Sequence, residues 1–182
     1  KAPFPALEKA GAEKFDFFIL AGDTTYNDSA TTLSQYRAKW LGQVGQSTYR
    51  SQLSSTGNFA TWDDHEVAND WNPETIDKTR LANATQAFFE HLPVRRHTSE
   101  ANRIWRSASW GDTLEIFVLD SRSERKPSTA SGPNAQYLSP AQLSWLQSGL
   151  VASTATFKII VTSVPITNMP ALWDLYAVDR WE

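Results

Sequence analysis

The chain has 182 residues, 41% hydrophobic and 20% charged, with 8 Trp and 9 Phe, a composition that supports one globular domain with a large buried core. Its formal charge of -3 offers no basic surface to nucleic acid or anionic membranes, and no run of 18 apolar residues is present to span a bilayer. With no cysteine, disulfides, thiolate zinc sites and cysteine nucleophiles are all excluded.

In chain order, Lys1-Ala2-Pro3-Phe4-Pro5 lacks the apolar stretch of a signal peptide, which leaves export open. Pro5 to Glu13 has helical composition, and the apolar run Phe15 to Leu20, ended by Ala21-Gly22-Asp23, reads as an interior strand. Leu33, Tyr36, Trp40 and Leu41 recur at helical spacing after Thr31-Thr32. A shorter helix carrying Tyr49 and Leu53 ends near Gly57, and Phe59 to Trp62 is a short strand running into Asp63-Asp64-His65-Glu66. Asn72-Pro73 offers a helix start, with Leu81, Ala84, Phe88 and Leu92 on one face and Pro93 as the stop.

Arg103 to Trp110 and Thr113 to Leu119 read as two strands joined at Gly111-Asp112, a hairpin. Ser121 to Gln136 is a long polar loop. Ser139 and Gln142 fit a capping box, followed by a helix with Leu143, Leu146 and Leu150 on its face. Phe157 to Val161 is the last strand. The alternation of helices with apolar strands predicts an α/β fold with helices packed outside the sheet, in a single domain.

Polar groups stand immediately after strands: Gly22-Asp23 after the first, Asp63-Asp64-His65 after the second, Asp120 after the fourth. In open α/β sheets the ligand crevice lies beyond the carboxyl ends of the strands, so neighbouring strands would bring these segments together. Carboxylates, a phenol and an imidazole in one crevice suit hard cations, which relieve the repulsion between acids and acidify a water. Each motif also has a plainer reading. Gly22-Asp23 can be a turn whose Asp caps a helix, Asp63 to Glu66 a solvated acidic turn, and Asp120 with Arg122 a structural ion pair.

Taken together, the motifs resemble the PhoD-like phosphatase/phosphodiesterase branch of the calcineurin-like metallophosphoesterases. Gly22-Asp23-Thr24-Thr25-Tyr26 is similar to that family's Gly-Asp-x-x-Tyr block, and Trp62-Asp63-Asp64-His65-Glu66-Val67 to its most specific stretch. Leu119-Asp120-Ser121-Arg122-Ser123-Glu124-Arg125 resembles its Leu-Asp-x-Arg-x-x-Arg segment, and Gln142, Trp145 and Leu146 its Gln-x-x-Trp-Leu helix. The resemblance implies a two-layered β-sandwich flanked by helices (αββα), present here as a partial domain, with two or more metal ions, Fe3+ with Ca2+ or another divalent cation. It implies Asp23, Tyr26, Asp64 and Asn69 as metal ligands, with Asp64 standing where the wider superfamily has an Asn. His65 would contact phosphate or protonate the leaving alkoxide, and Arg122 would steady the phosphate or its loop.

The implied activity is hydrolysis of phosphate monoesters or diesters, as in alkaline phosphatases of type D, by a metal-activated water. The partner would be a small phosphoester and the location secreted or periplasmic. The family pattern carries an acidic metal-binding segment before the first strand and a Gly-Asp-x-His segment after the last. Residues 1–182 are therefore expected to be one truncated domain, inactive by itself and complete only in a longer protein.

Two rival readings carry their own signatures. A carbohydrate-binding module, stabilised by Ca2+, would show an exposed planar row of Trp, whereas Trp62, Trp71 and Trp110 lining a crevice would favour hydrolysis. A metal-free hydrolase using two carboxylates would keep its activity under chelation.

Overall fold

The structure is a computed structural model and describes residues 4–130 and 133–164. The chain order is α1 (Pro5–Ala12), β1 (Phe17–Ala21), α2 (Leu33–Val44), α3 (Ser47–Ser55), β2 (Gly57–Thr61), α4 (Lys78–His91), β3 (Arg106–Trp110), β4 (Leu114–Val118), α5 (Pro140–Ala152) and β5 (Phe157–Val161). The long polar loop after β4 contains one turn of 3-10 helix, Pro127–Thr129. Trp181 and Glu182 lie outside the described residues.

The strands form two sheets. β1 and β2 are parallel, as a connection through two helices permits, and pair Phe17 with Gly57 through to Ala21 with Thr61. In the second sheet β3 and β4 form the antiparallel hairpin, and β5 lies parallel to β4 on its other side. The loop of the hairpin turns at Gly111, whose φ of 58° is open to glycine without strain.

Alternation along the strands makes the layers. Phe17, Ile19 and Phe59 face one way and pack on Ile116, Val118 and Val161 of the second sheet. Phe18, Leu20 and Ala60 face the other way, into a cluster with Tyr36 and Trp40 of α2 and Ala84 and Phe88 of α4. Phe117 and Leu119, on the outer side of the second sheet, pack against Leu146, Trp145 and Leu150 of α5. The result is the αββα arrangement: helices, sheet, sheet, helix. Two bonds tie the sheets: Thr61 Oγ1 donates to Leu119 O at 2.7 Å, and Arg106 Nη2 to Ala60 O at 3.0 Å. The first of these fixes the carboxyl ends of β2 and β4 at the same end of the sandwich.

Four local expectations are corrected. α4 starts six residues after Asn72, because the Asn72 side chain accepts from Glu74 N and its carbonyl from Thr75 N and Ile76 N, closing a turn that does not continue. Asp77 is the cap, accepting from Arg80 N at 2.7 Å. On α2, Leu41 is 67% exposed while Tyr36 and Trp40 are buried. On α5, Leu143 is 43% exposed, because Gln142, Leu146 and Gly149, at i, i+4 and i+7, face the sheet instead. Ser139 caps α5 through Gln142 N, yet the Gln142 side chain does not return to complete the box; it turns inward to Asp120.

Candidate metal centre

Three loops meet where β1, β2 and β4 end. The first begins at Gly22, with φ of 110°, and an added Cβ there would sit 2.6 Å from the Asp63 Cβ and 2.9 Å from its backbone N. Glycine is what lets the β1 loop lie directly against the β2 loop. Asp23 follows with φ of 54°, a left-handed conformation that is costly for a side-chain-bearing residue and persists only where neighbours hold it.

Asp23, Asp64 and His65 each offer a ligand atom, and these atoms lie within 4.8 Å of one another. Desolvation first, then the charges of Asp63 and Asp64, push the Asp23 carboxyl up to about 6, with His65 and Arg122 opposing. Tyr26, 56% exposed, lies over the imidazole of His65, ring centres 4.0 Å apart. Burial first, then the neighbouring Asp23 carboxylate, raise its phenol above the ordinary value.

His65 Nδ1 sits 2.7 Å from Asp28 Oδ1, which orients the ring. Burial alone would lower its pKa, but the Asp28 hydrogen bond and the charges of Asp64, Asp28 and Asp23 outweigh it, so the imidazole is shifted upward. Asp64 Oδ2 accepts from Asp70 N at 2.6 Å, and its Oδ1 lies 3.8 Å from Arg122 Nη2.

The remaining expected site residues fall in different places. Arg122 is fully buried and its Nε meets Asp63 Oδ1 at 2.5 Å, so its guanidinium serves a carboxylate of the β2 loop. Where the plainer reading paired Arg122 with Asp120, the guanidinium bonds Asp63. Asp120, also buried, accepts from Trp62 Nε1, Arg122 N, Ser123 N and Ser123 Oγ, and so organises its own turn instead of joining the cluster. Asn69 is exposed, with its amide on Asp70 Oδ2 at 2.7 Å. Trp62 and Trp71 are buried beside the loops, the latter donating to Asp63 O at 3.4 Å. Trp110, expected at the crevice, packs on Phe17 and Gly57 at the opposite end of the sandwich.

Sequence reasoning missed two acids. Asp28, the partner of His65, carries no motif signal. Glu66 is fully buried: one carboxylate oxygen accepts from Thr24 N and the other from Asp63 N at 2.9 Å. The buried Val67 and Ala68 that follow were the available hint that the acidic run turns inward.

The donor set fits hard cations: carboxylate oxygens, a phenol and an imidazole, with one carboxyl lifted by burial and then by its neighbours' charge. Alkaline phosphatase D of Bacillus subtilis (strain 168) is 26% identical to the chain over 226 residues, covering 98% of the chain and 38% of that protein. A solved structure of PhoD superposes with a TM-score of 0.74 at 22% identity, covering 85% of this chain and 37% of that one, which establishes the shared fold. The chain thus spans well under half the length of these relatives. The family model for PhoD-like phosphatases matches residues 1–182 throughout, and the chain belongs to that family.

Proposed function

We propose that the chain contributes to the active centre of a metal-dependent phosphoester hydrolase. The observation that carries this reading is the convergence of Asp23, Asp64 and His65, with ligand atoms within 4.8 Å, at the joined ends of β1 and β2. Asp23 and Asp64 would hold the ions, with Tyr26 as a hard phenolate donor suited to Fe3+ beside Ca2+ or another divalent cation. Cations bound there supply acidification of a water and neutralisation of phosphoryl oxygens.

The protein's own groups do the rest. Asp28 holds the His65 ring through Nδ1, which leaves Nε2 to pass a proton to the departing alkoxide, and the surrounding carboxylates favour the protonated ring that this role needs. Asn69 would serve as a ligand through Oδ1, while its Nδ2 donates to Asp70. Arg122 is fully buried and steadies the Asp63-Asp64 turn through its bond to Asp63; a role in steadying the phosphate belongs to the same reading. The substrate is a phosphate monoester or diester, and a secreted or periplasmic location belongs to the same reading.

The carbohydrate-binding alternative finds no exposed row of Trp among the described residues. Among the described residues Trp40, Trp62, Trp71 and Trp105 are buried, and only Trp110 is exposed, at 40%.

In an enzyme of the relatives' length that carries these residues, Asp23→Asn and Asp64→Asn are each expected to lower hydrolysis of p-nitrophenyl phosphate and bis-p-nitrophenyl phosphate at least about a hundredfold, as loss of a metal or its positioning does. Chelation should do the same. Near-normal rates in either variant, or activity that survives exhaustive EDTA, would overturn the assignment.

A further inference from the structure

We propose that Glu66 is the positioning residue that sets the spacing of Asp23 and Asp64, by clamping the β1 loop onto the β2 loop. The inference rests on the metal-centre reading and deepens it.

Glu66 Oε1 accepts the backbone N–H of Thr24, 42 positions earlier in the chain, and Oε2 accepts that of Asp63 at 2.9 Å. Each of those amides belongs to the residue next to a candidate ligand: Thr24 follows Asp23, and Asp63 precedes Asp64. A second set of bonds reinforces the clamp. Asn27 Nδ2 donates to Glu66 O at 3.0 Å, Asn27 N donates to His65 O at 2.8 Å, and Thr25 Oγ1 donates to Asn27 Oδ1 at 3.2 Å.

A local turn alone does not account for this. The Asp63–Glu66 bond, three residues apart, would be an ordinary side-chain cap. The Thr24 bond is what makes Glu66 a bridge between strand ends. It also acts on the peptide that follows Asp23, whose left-handed φ needs outside restraint. Glu66 is itself unsuited to be a ligand: it is fully buried and both oxygens are taken by amides. A carboxylate in such a place is costly unless its acceptors are filled, and two backbone amides fill them.

Glu66→Gln keeps the shape but replaces one acceptor with an NH2, so one of the two amides loses its partner. Glu66→Asp keeps the charge but is too short to bridge both. With MnCl2 as probe, calorimetry on this chain is expected to show at least about tenfold weaker binding in both variants, the scale of lost outer-shell support. In EDTA, amide hydrogen exchange at Thr24 or Asp63 should quicken at least about tenfold while Ile116 in β4 keeps its wild-type rate. Wild-type Mn2+ affinity in both variants, unchanged exchange at Thr24 and Asp63, or equal loss of protection at Ile116 would overturn the proposal. If Glu66→Gln does not fold, Glu66→Asp carries the same two readouts. Absence of Mn2+ binding by the wild-type chain would sink the metal-centre reading, while the exchange measurement still decides the clamp.

Discussion

Asp23 and Glu66 make the cation-free chain sensitive to pH in a direction opposite to most proteins. Burial pushes Glu66 from its ordinary 4.5 up to about 7, with the Asp63 and Thr24 amides opposing, and Asp23 is pushed from 3.8 up to about 6, mostly by desolvation and its acidic neighbours. Both groups keep protons in the folded chain that the unfolded chain has already lost. Between about pH 4.5 and 7 the folded state therefore binds more protons, and stability falls as pH rises, by at most about 1.4 kcal/mol per pH unit for one group. In EDTA the unfolding temperature is expected to be higher at pH 5.5 than at pH 7.5. Saturating Mn2+ should narrow or invert that gap, since the cation favours the ionised carboxylates. Scanning calorimetry at the two pH values, with and without Mn2+, checks it; a gap of the same sign and size in both conditions would count against cation binding at these acids.

Among the elements, α5 shows how a single small residue sets a packing distance. An added Cβ at Gly149 would sit 2.6 Å from Phe117 Cε1, and Phe117 is fully buried in β4. Gly149→Ala improves helix propensity by up to about 1 kcal/mol, but overpacking against a fixed ring costs roughly 1–3 kcal/mol. The net expectation is a lower urea midpoint, with the unfolding slope unchanged; a raised midpoint would show that α5 shifts freely on the sheet. The same helix carries Gln142, whose amide meets Asp120 N at 2.9 Å, Asp120 O at 3.1 Å and Glu124 Oε2 at 2.9 Å. Glu124 in turn accepts from Trp105 Nε1 and Ser139 Oγ. A residue that looks like half of a capping box is the link between α5 and the turn that presents Arg122 to Asp63.

Across the whole molecule, the site depends on two sheets staying in register, because Asp23 and Asp64 come from one sheet while Arg122 and Ser163, both bonded to Asp63, come from the other. Ile116 lies fully buried between the sheets, with Phe17, Ile19 and Val161 in the same cluster. Ile116→Ala is expected to cost about 2–5 kcal/mol of stability, the range for a buried Ile cut to Ala. Phe157→Ala, at a position 63% exposed, should shift it by less than about 1 kcal/mol. Chemical denaturation of the two variants separates these outcomes; equal losses would mean that β5 is covered by further contacts.

The strands, most helices and the position of the acids at strand ends were legible in the residues alone, because apolar periodicity and turn residues are local signals that need no partner. Asp23, Asp64 and His65 stood out for the same reason: each follows a strand. What tertiary structure decided is which neighbour each acid faces. Asp63 and Asp64 are adjacent and chemically identical, yet one bonds Arg122 at 2.5 Å while the other, 3.8 Å from that guanidinium, meets Asp23 and His65. The choice depends on successive side chains pointing apart and on a sheet packed from 59 residues away. Glu66 and Asp28 were hidden on the same ground, since a carboxylate reads as solvated until the fold shows what it touches.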